Sequence, residues 1–265
     1  MSLAPSPSSA LRAYVLRHGQ TDYNAAGIEQ GSSDVSRLTD LGRRQAGDAY
    51  GALLDGAKEE RDTAGGFASV YTSPLARARQ TLARLREADA ENPGGAVLPA
   101  SDLVVEDLRE IDLYDWEGRG YGELRDAHPT SWSAWERGIP DEMTVTETKP
   151  GGETVEHYPL IEMWERADRV WDEILGLERE RSRDESSGDI PGERTTLIVA
   201  HGNLGQAMLG TAMGWDATRF NDPQTMFGNC GLCEIEFSDL EESGPRRPAR
   251  RWRWRWPEPS AGWNR

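Results

Sequence analysis

The stretch Leu-Arg-His-Gly-Gln-Thr, residues 16–21, directly follows the apolar residues Ala-Tyr-Val. The pattern predicts a buried strand over 12–16 that delivers an arginine and a histidine side by side and then breaks at a glycine. A basic pair at the end of a buried strand costs free energy unless a partner or a ligand meets it. The rest of the chain therefore has to supply the groups that explain this pair.

A second stretch has the same arrangement. In Leu-Ile-Val-Ala-His-Gly-Asn, residues 197–203, an apolar strand again ends in a histidine and a glycine, and a helix over 202–213 follows. His18 and His201 are two of only four histidines in the chain. A single histidine at a strand end is more often structural. Because the carboxyl ends of parallel strands open on one edge of the sheet, where ligands bind, the matched pair favours a functional site.

The remaining sequence alternates between strand and helix patterns, which predicts an α/β three-layer sandwich with a mostly parallel sheet. Thr39 is the expected N-cap of one helix. Ser73 is the expected N-cap of another, with Pro74 at its first helical position and Arg77 one turn inside. Residues 116–158 show no regular period and are interpreted as an irregular insertion over the sheet edge. The other expected helices and strands are helices over 39–54, 72–87 and 159–181, and strands over 67–71, 103–105, 195–200 and 231–237.

The chain of 265 residues is long enough to bury a substantial core. One domain is expected over 12–256, with a cap insertion at about 111–158. A flexible N-terminus over 1–11 and a tail over 257–265 flank it. Polar stretches over 58–66 and 182–193 are expected to be a loop and a charged linker.

Charge and hydropathy exclude several classes of function. The net charge of −16 and the pI of about 4.7 argue against general binding to nucleic acid or to an anionic membrane. No stretch approaches the roughly 20 apolar residues of a membrane span, and residues 1–10 lack the apolar core of a signal peptide. We expect a cytoplasmic protein, or a chloroplast protein if a targeting segment is missing from this chain. The oligomeric state stays open.

A phosphate site explains the basic residues together. Arg17 and Arg77 can each hold phosphate oxygens through two hydrogen bonds. One neutral histidine can attack phosphorus while the other carries charge. A carboxylic acid has to protonate the leaving oxygen, and the acidic stretch over 107–118 offers several. No metal-ligand cluster and no glycine-rich nucleotide loop is visible, so the chain is expected to use no metal and no cofactor.

Four motifs in order carry a resemblance to a known family. Leu-Arg-His-Gly-Gln-Thr-Asp-Tyr-Asn resembles the signature of the histidine phosphatase superfamily, the phosphoglycerate mutase-like group. Leu-Thr-Asp-Leu-Gly-Arg-Arg-Gln-Ala, Tyr-Thr-Ser-Pro-Leu-Ala-Arg-Ala and Val-Ala-His-Gly-Asn are similar to its later motifs. The resemblance covers residues 12–237. Leu-Arg-Glu-Ile-Asp-Leu-Tyr and two further segments are similar to the plant and algal branch, which includes carboxyarabinitol-phosphate phosphatase-like proteins.

The resemblance implies a metal-independent phosphomonoester hydrolase that acts on a small phosphorylated substrate, a sugar or sugar-acid phosphate. It implies that His18 is the nucleophile that becomes phosphohistidine and that Glu110 is the proton donor. Asp107, Asp112 and Glu117 are close rivals for the acid. Arg17, Arg77 and His201 would hold the phosphoryl group. The residues implied in substrate binding are Gln20, Thr21, Asn24, Gln30, Gly31, Gly202 and Asn203.

Two alternative functions stay open. The mutases of the group follow the glutamate with Arg-His-Tyr-Gly and carry extra basic residues. Here Ile111 to Tyr114 follow Glu110, and the region up to residue 148 is acidic, so a phosphatase is favoured over a phosphoglycerate mutase. A non-catalytic phosphate-binding interaction protein is the third interpretation, and the presence of every core histidine and arginine disfavours it.

Three other signals have ordinary structural interpretations. Cys230 and Cys233 form a lone Cys-x-x-Cys pair, which is expected in the core rather than on zinc. His128 and His157 are expected at the surface or in the cap. Residues 250–257, Arg-Arg-Trp-Arg-Trp-Arg-Trp-Pro, could bind nucleic acid or membrane, but an edge strand with Trp inward and Arg outward is favoured.

Overall fold

A computed structural model describes residues 10–59, 66–185, 194–237 and 249–257, without the side chains of 58, 59 and 183–185. The expected flexible N-terminus before residue 10, most of the loop over 58–66, most of the linker over 182–193 and the tail beyond 257 lie outside the described residues. No helix in the described ranges is long and apolar enough to cross a membrane.

A six-stranded sheet forms the centre of the fold, in the order β3-β2-β6-β1-β7-β8. The four strands β3, β2, β6 and β1 are parallel, β7 runs antiparallel to β1, and β8 runs antiparallel to β7. The sheet is therefore mostly parallel, as predicted. The strands are β1 (Leu11–Arg17), β2 (Ser69–Thr72), β3 (Leu103–Val104), β6 (Arg194–Ala200), β7 (Leu232–Phe237) and β8 (Arg251–Trp256), and a separate hairpin joins β4 (Val145–Thr148) to β5 (Thr154–His157).

Helices cover both faces of the sheet and complete the three layers. Alternate residues of β1 enter opposite cores, because successive side chains of a strand point to opposite faces. Tyr14 and Leu16 join a core with the second and third helices. Ala13 and Val15 join the larger core, with the sixth and seventh helices, and this larger core is the main core of the fold. The helices are α1 (Asp22–Ala26), α2 (Asp40–Glu59), α3 (Ala76–Ala90), α4 (Tyr121–Ala127), α5 (Pro129–Arg137), α6 (Pro159–Glu185) and α7 (Gly202–Ala212).

The prediction of an irregular stretch over 116–158 is wrong. This segment contains α4, α5 and the β4–β5 hairpin. Pro129 starts α5, and Gly138 ends it in the left-handed conformation with φ of 64°. Trp132 of α5 is buried against Trp116 at a ring-centroid distance of 5.9 Å. Each element is too short to show a clear period in the sequence, so packing onto the main core rather than local pattern specifies it.

The prediction for the start of α3 is also wrong. The helix begins at Ala76 with Leu75 as its N-cap, and Arg77 is its second residue rather than one turn inside. The Ser73 hydroxyl lies 2.7 Å from Nε2 of His201 instead of capping the helix. By contrast, Thr39 does cap α2, since its hydroxyl accepts a hydrogen bond from the Gly42 amide at 3.0 Å.

The Arg/Trp segment forms β8, which is an edge strand as expected. Trp252 and Trp254 pack against the main core. The expectation is wrong for Trp256, which is 39% exposed, and for Arg255, whose side chain is only 11% exposed. On the other face of the sheet, Arg253 and Arg255 pair with Glu234 of β7. Burial acts to raise the pKa of Glu234, but these two arginines outweigh it and lower the pKa. The arginines thus stabilise a buried glutamate of this sheet.

The two cysteines lie in the core, as predicted. Cys230 and Cys233 are free and fully buried, and they contribute to the two different cores. Burial raises the pKa of both thiols, that of Cys230 to about 12. His128 and His157 are half-buried in the cap region, where His157 stacks on Tyr114 at 4.1 Å between ring centroids.

A pair of glycine substitutions tests the packing of α7 against α6. A Cβ on Gly210 would lie 2.2 Å from the indole of Trp164, whose Nε1 is held by the Trp215 carbonyl at 3.0 Å. We expect Gly210→Ala to lower the free energy of unfolding by about 1–3 kcal/mol through overpacking. Gly51→Ala, at an exposed position of α2 where nothing lies within 4 Å of the added Cβ, should raise it by about 0.5–1 kcal/mol. Denaturant unfolding measures both, and an equal gain in the two variants would contradict this packing.

Candidate active site

The two strand-end histidines meet, as the sequence predicts. β1 and β6 are adjacent parallel strands with Arg17 opposite Ala200. His18 follows this pair on one strand and His201 on the other, and their ring centroids lie 5.2 Å apart. The His18 amide also donates to the Ala200 carbonyl at 3.1 Å. The register of two central strands therefore fixes the spacing of the two imidazoles.

His18 is held in one protonation form. Its Nδ1 lies 2.7 Å from the Gly19 carbonyl oxygen, which can only accept, so Nδ1 carries the proton. Burial lowers the pKa of His18 well below the ordinary value, and the positive charges of Arg77 and Arg17 lower it further. The neutral ring then has its lone pair on Nε2. This is the form in which an imidazole acts as a nucleophile.

The hydrogen-bond partner of His201 is Ser73, which the sequence predicts as a helix N-cap. Its Nε2 lies 2.7 Å from the Ser73 hydroxyl, whereas its Nδ1 is buried and has no protein partner in the described residues. Burial lowers the pKa of His201 well below the ordinary value, and the charge of Arg77 adds to this effect. Ser73 was missed because a serine before Pro74 reads as a helix cap.

Two guanidinium groups border the histidines. Arg17 donates to the Phe227 carbonyl at 2.6 Å, and the buried Arg77 donates to the carbonyls of Ser33 and Gly31 at 2.7 and 2.8 Å. The Nε atoms of both arginines are buried and have no partner in the part of the chain that the structure describes. Burial lowers the pKa of Arg77 to about 10. A half-buried and a buried cation, each with a spare donor, are expected of an oxyanion-binding site.

Glu110 reaches the same place from the loop after β3. One carboxylate oxygen accepts hydrogen bonds from the amides of Ile111 and Leu204 at 3.0 and 2.9 Å, and the other accepts from the Asn203 amide at 3.1 Å. The carboxylate thus sits on the first turn of α7, directly after His201. Helix N-termini stabilise negative charge in this position.

The rival acids have other roles in the structure. Asp112 pairs with Arg109 and with Arg166, and Asp107 also pairs with Arg109. Arg166 donates to the backbone carbonyl of Glu110 at 2.8 Å and so supports that residue from α6.

Glu117 accepts from the amides of Ser32 and Leu113 at 2.8 and 3.2 Å. A Cβ on Gly31, whose φ is 50°, would lie only 2.2 Å from the Glu117 carboxylate. Glu117 therefore holds the loop whose carbonyls orient Arg77. Of the four acidic residues considered, Glu110 alone sits at the N-terminus of α7.

The segment over 20–31, which includes α1, carries most of the predicted substrate-binding side chains. The Thr21 hydroxyl accepts from the Asn24 amide at 3.1 Å and donates to the Gln30 carboxamide at 2.9 Å. The Asn24 carboxamide in turn accepts from the Thr21 amide at 3.2 Å. These hydrogen bonds cap α1 and fix the segment that follows His18. Their contact with a substrate stays a prediction.

The remaining predicted residues are Gln20, Gly202 and Asn203, which lie just beyond the ends of β1 and β6. The Gln20 carboxamide accepts from the Thr39 hydroxyl at 3.0 Å. Gly202 begins α7, and a Cβ there would lie 3.1 Å from Nε of Arg17. Asn203 is half-buried and contributes its amide to Glu110. Among the described residues, no group of three or more His, Cys, Asp or Glu side chains could hold a metal ion.

Comparison with known proteins shows the family to which this chain belongs. The pattern of the histidine phosphatase superfamily (branch 1) matches residues 13–246, and the chain belongs to this superfamily.

Relatives within the superfamily have different activities in their names. The chain is 30% identical over 246 residues to a wheat (Triticum aestivum) 2-carboxy-D-arabinitol-1-phosphatase, with 92% of this chain and 40% of that protein covered. It therefore spans about two fifths of that relative's length. It is 25% identical to a probable phosphoglycerate mutase of Proteus mirabilis, with 86% of each chain covered. A solved mycobacterial glucosyl-3-phosphoglycerate phosphatase superposes with a TM-score of 0.63 at 26% identity, covering 92% of this chain and 97% of that one.

The tautomer of His18 can be measured directly. We expect the ring to be neutral, with the proton on Nδ1, from about pH 6.5 upwards, because burial and two arginines lower its pKa below the ordinary value of about 6.5. Imidazole ¹⁵N chemical shifts report both properties, and the spectrum of His18→Gln assigns the signals. A His18 ring half-protonated at pH 6.5, or one with its proton on Nε2, would contradict the arrangement.

Proposed function

We propose that the protein is a metal-independent phosphomonoester hydrolase that works through a phosphohistidine on His18, with a small sugar or sugar-acid phosphate as substrate. One observation carries the proposal. A neutral imidazole with its lone pair on Nε2 lies beside His201, and one buried nitrogen each of Arg17, Arg77 and His201 has no hydrogen-bond partner among the described residues. Leaving such atoms unsatisfied is costly, and the oxygens of a phosphoryl group would satisfy them.

In the first step, Nε2 of His18 attacks phosphorus and the bond from phosphorus to the leaving oxygen breaks. The Gly19 carbonyl accepts from Nδ1, so it stabilises the positive charge that develops on the ring. The leaving oxygen takes its proton from the carboxyl group of Glu110, which recovers a proton in the second step. In the second step, the Glu110 carboxylate takes a proton from water, the water oxygen bonds to phosphorus and the bond to Nε2 breaks. Two easier steps thus replace one difficult step.

The charges of the site favour these two reaction steps. Arg17 and Arg77 lower the pKa values of both histidines. A phosphate dianion offsets that positive field, so its arrival favours protonation of His201, which can then donate a hydrogen bond to a phosphoryl oxygen. Catalysis would come mostly from positioning and from fixed charges.

The relatives support the substrate class. The wheat protein and the mycobacterial structure are both named as phosphatases of phosphorylated sugar or sugar-acid compounds. A phosphoglycerate mutase is the second candidate, since the Proteus mirabilis relative is named as a probable one. The two functions differ in the fate of the phosphohistidine, which passes to water in a phosphatase and to a second substrate oxygen in a mutase.

A phosphoenzyme assay tests the proposal. Mixing the protein with a ³²P-labelled sugar phosphate and quenching in alkali should retain label that acid treatment releases, because phosphohistidine is acid-labile. We expect His18→Ala to lose this label and almost all turnover while remaining folded. EDTA should leave the wild-type rate intact.

A second assay separates the phosphatase from the mutase. Incubation with phosphoglycerate and a trace of its bisphosphate should yield free phosphate rather than rapid isomerisation.

Three results would count against the proposal. Near-normal turnover in His18→Ala would show that His18 is not the nucleophile. A requirement for an added divalent metal would indicate a different mechanism. Rapid interconversion of phosphoglycerate isomers with negligible release of phosphate would establish the mutase instead.

A further inference from the structure

Helix α2 starts directly against the backbone that follows His18. A Cβ on Gly19 would lie 2.3 Å from the Gly42 carbonyl oxygen, and a Cβ on Gly42 would lie 2.1 Å from the Gln20 carbonyl oxygen. The Thr39 amide also donates to the Gln20 carbonyl at 2.9 Å. Because only glycine allows so close an approach, the first turn of α2 packs backbone to backbone on residues 19 and 20.

Gln45 uses this approach to reach the backbone beside His18. It lies three residues after Gly42, on the same face of α2, and it is half-buried. Its side-chain oxygen accepts a hydrogen bond from the Gln20 amide at 2.9 Å. That amide belongs to the same planar peptide as the Gly19 carbonyl, which accepts from Nδ1 of His18 at 2.7 Å. One peptide therefore connects the carboxamide of Gln45 with the imidazole of His18.

The preceding peptide, between His18 and Gly19, is held by other elements. The His18 carbonyl accepts from the Cys230 amide at 3.2 Å. The Gly19 amide donates to the hydroxyl of Thr81, which is fully buried in α3, at 3.1 Å. This peptide is thus fixed on both sides without help from α2.

The next peptide, between Gly19 and Gln20, has fewer supports. In the part of the chain that the structure describes, its hydrogen bonds are those to His18 and Gln45. The imidazole N–H, the peptide and the carboxamide oxygen form a chain in which every donor points the same way. Hydrogen bonds in such a chain polarise one another. The bond to Gln45 therefore makes the Gly19 carbonyl a stronger acceptor for the imidazole proton.

We propose that Gln45 is a positioning residue for the nucleophile, which acts through the Gly19–Gln20 peptide to keep the imidazole proton of His18 on Nδ1. This inference rests on the proposed function. It gives α2 the task of a third group that orients a reacting pair. An Nε2 that carries the proton has no lone pair for phosphorus, so a carbonyl no longer aimed at Nδ1 lowers the fraction of His18 that can attack. The same carbonyl faces the positive ring of the phosphohistidine.

Matched variants test the role of the side-chain oxygen. Gln45→Met removes it and keeps an unbranched side chain. Gln80→Met is the control, because Gln80 in α3 is also half-buried and its oxygen accepts from the Leu38 amide at 3.0 Å, a bond that does not involve the peptides beside His18. Gln45→Glu restores an acceptor at the first position. Methionine suits a helix interior, and denaturant unfolding checks that each variant is folded.

The tautomer and the rate are both measured on the full chain. Imidazole ¹⁵N shifts of the free protein should show the Nδ1–H form of His18 in the wild type, Gln80→Met and Gln45→Glu, and a mixture with the Nε2–H form in Gln45→Met. With p-nitrophenyl phosphate, the first-turnover rate of phosphohistidine formation should fall about 10–100-fold in Gln45→Met, because a slightly misplaced reacting group loses rate steeply. The other two variants should stay near the wild-type rate.

A purely structural role for Gln45 would lower stability and leave the tautomer unchanged. The inference is overturned if Gln45→Met keeps the Nδ1–H form, if its rate falls no further than that of Gln80→Met, or if Gln45→Glu is as slow as Gln45→Met. If the wild type forms no phosphohistidine, the proposed function fails, and the tautomer in the free protein alone then decides the role of Gln45. Should Gln45→Met not fold, Gln45→Asn, which draws the carboxamide back by one methylene, gives the same measurements.

Discussion

The parallel pairing of β1 with β6 is the constraint on which the rest of the structure depends. It sets Arg17 opposite Ala200 and places His18 and His201 directly after that pair. Both strands are central and buried, so the register is strongly specified, since a shift by one residue would turn every side chain to the wrong core. The distance between the two imidazoles is thus a property of the sheet rather than of flexible loops.

Around this fixed pair, the fold assembles charges that are unfavourable in a protein interior. Arg77 is fully buried, Arg17 is half-buried, and Glu110 and Glu29 are nearly inaccessible. Arg77 is oriented by carbonyls of the 31–33 loop, which Glu117 ties to the cap. The cap is therefore part of the site's support and belongs to the main core. Such a site has lower stability than an apolar one, and a bound anion would restore part of the difference.

The sequence predicted the features that rest on a strong local pattern. The apolar runs before Arg17 and His201 specify β1 and β6, and matching glycines after the histidines mark the strand ends. Ser73 was misread because the same serine suits a helix cap and a partner for His201, and only tertiary contact decides between them. The cap elements are too short for a clear period. Glu29 has an ordinary neighbourhood in sequence, and its burial depends on backbone contacts with residues 118 and 119.

The central claim is that Arg17, Arg77 and the two buried histidines are arranged to bind a phosphoryl group. The most direct test measures the free energy of unfolding against the concentration of inorganic phosphate, for the wild type, Arg17→Met and Arg77→Met. Phosphate should stabilise the wild type with one-site behaviour, by about 2.7 kcal/mol at a hundredfold excess over Kd. Both variants should unfold cooperatively and lose most of this response. Equal stabilisation of all three proteins by phosphate would contradict the claim.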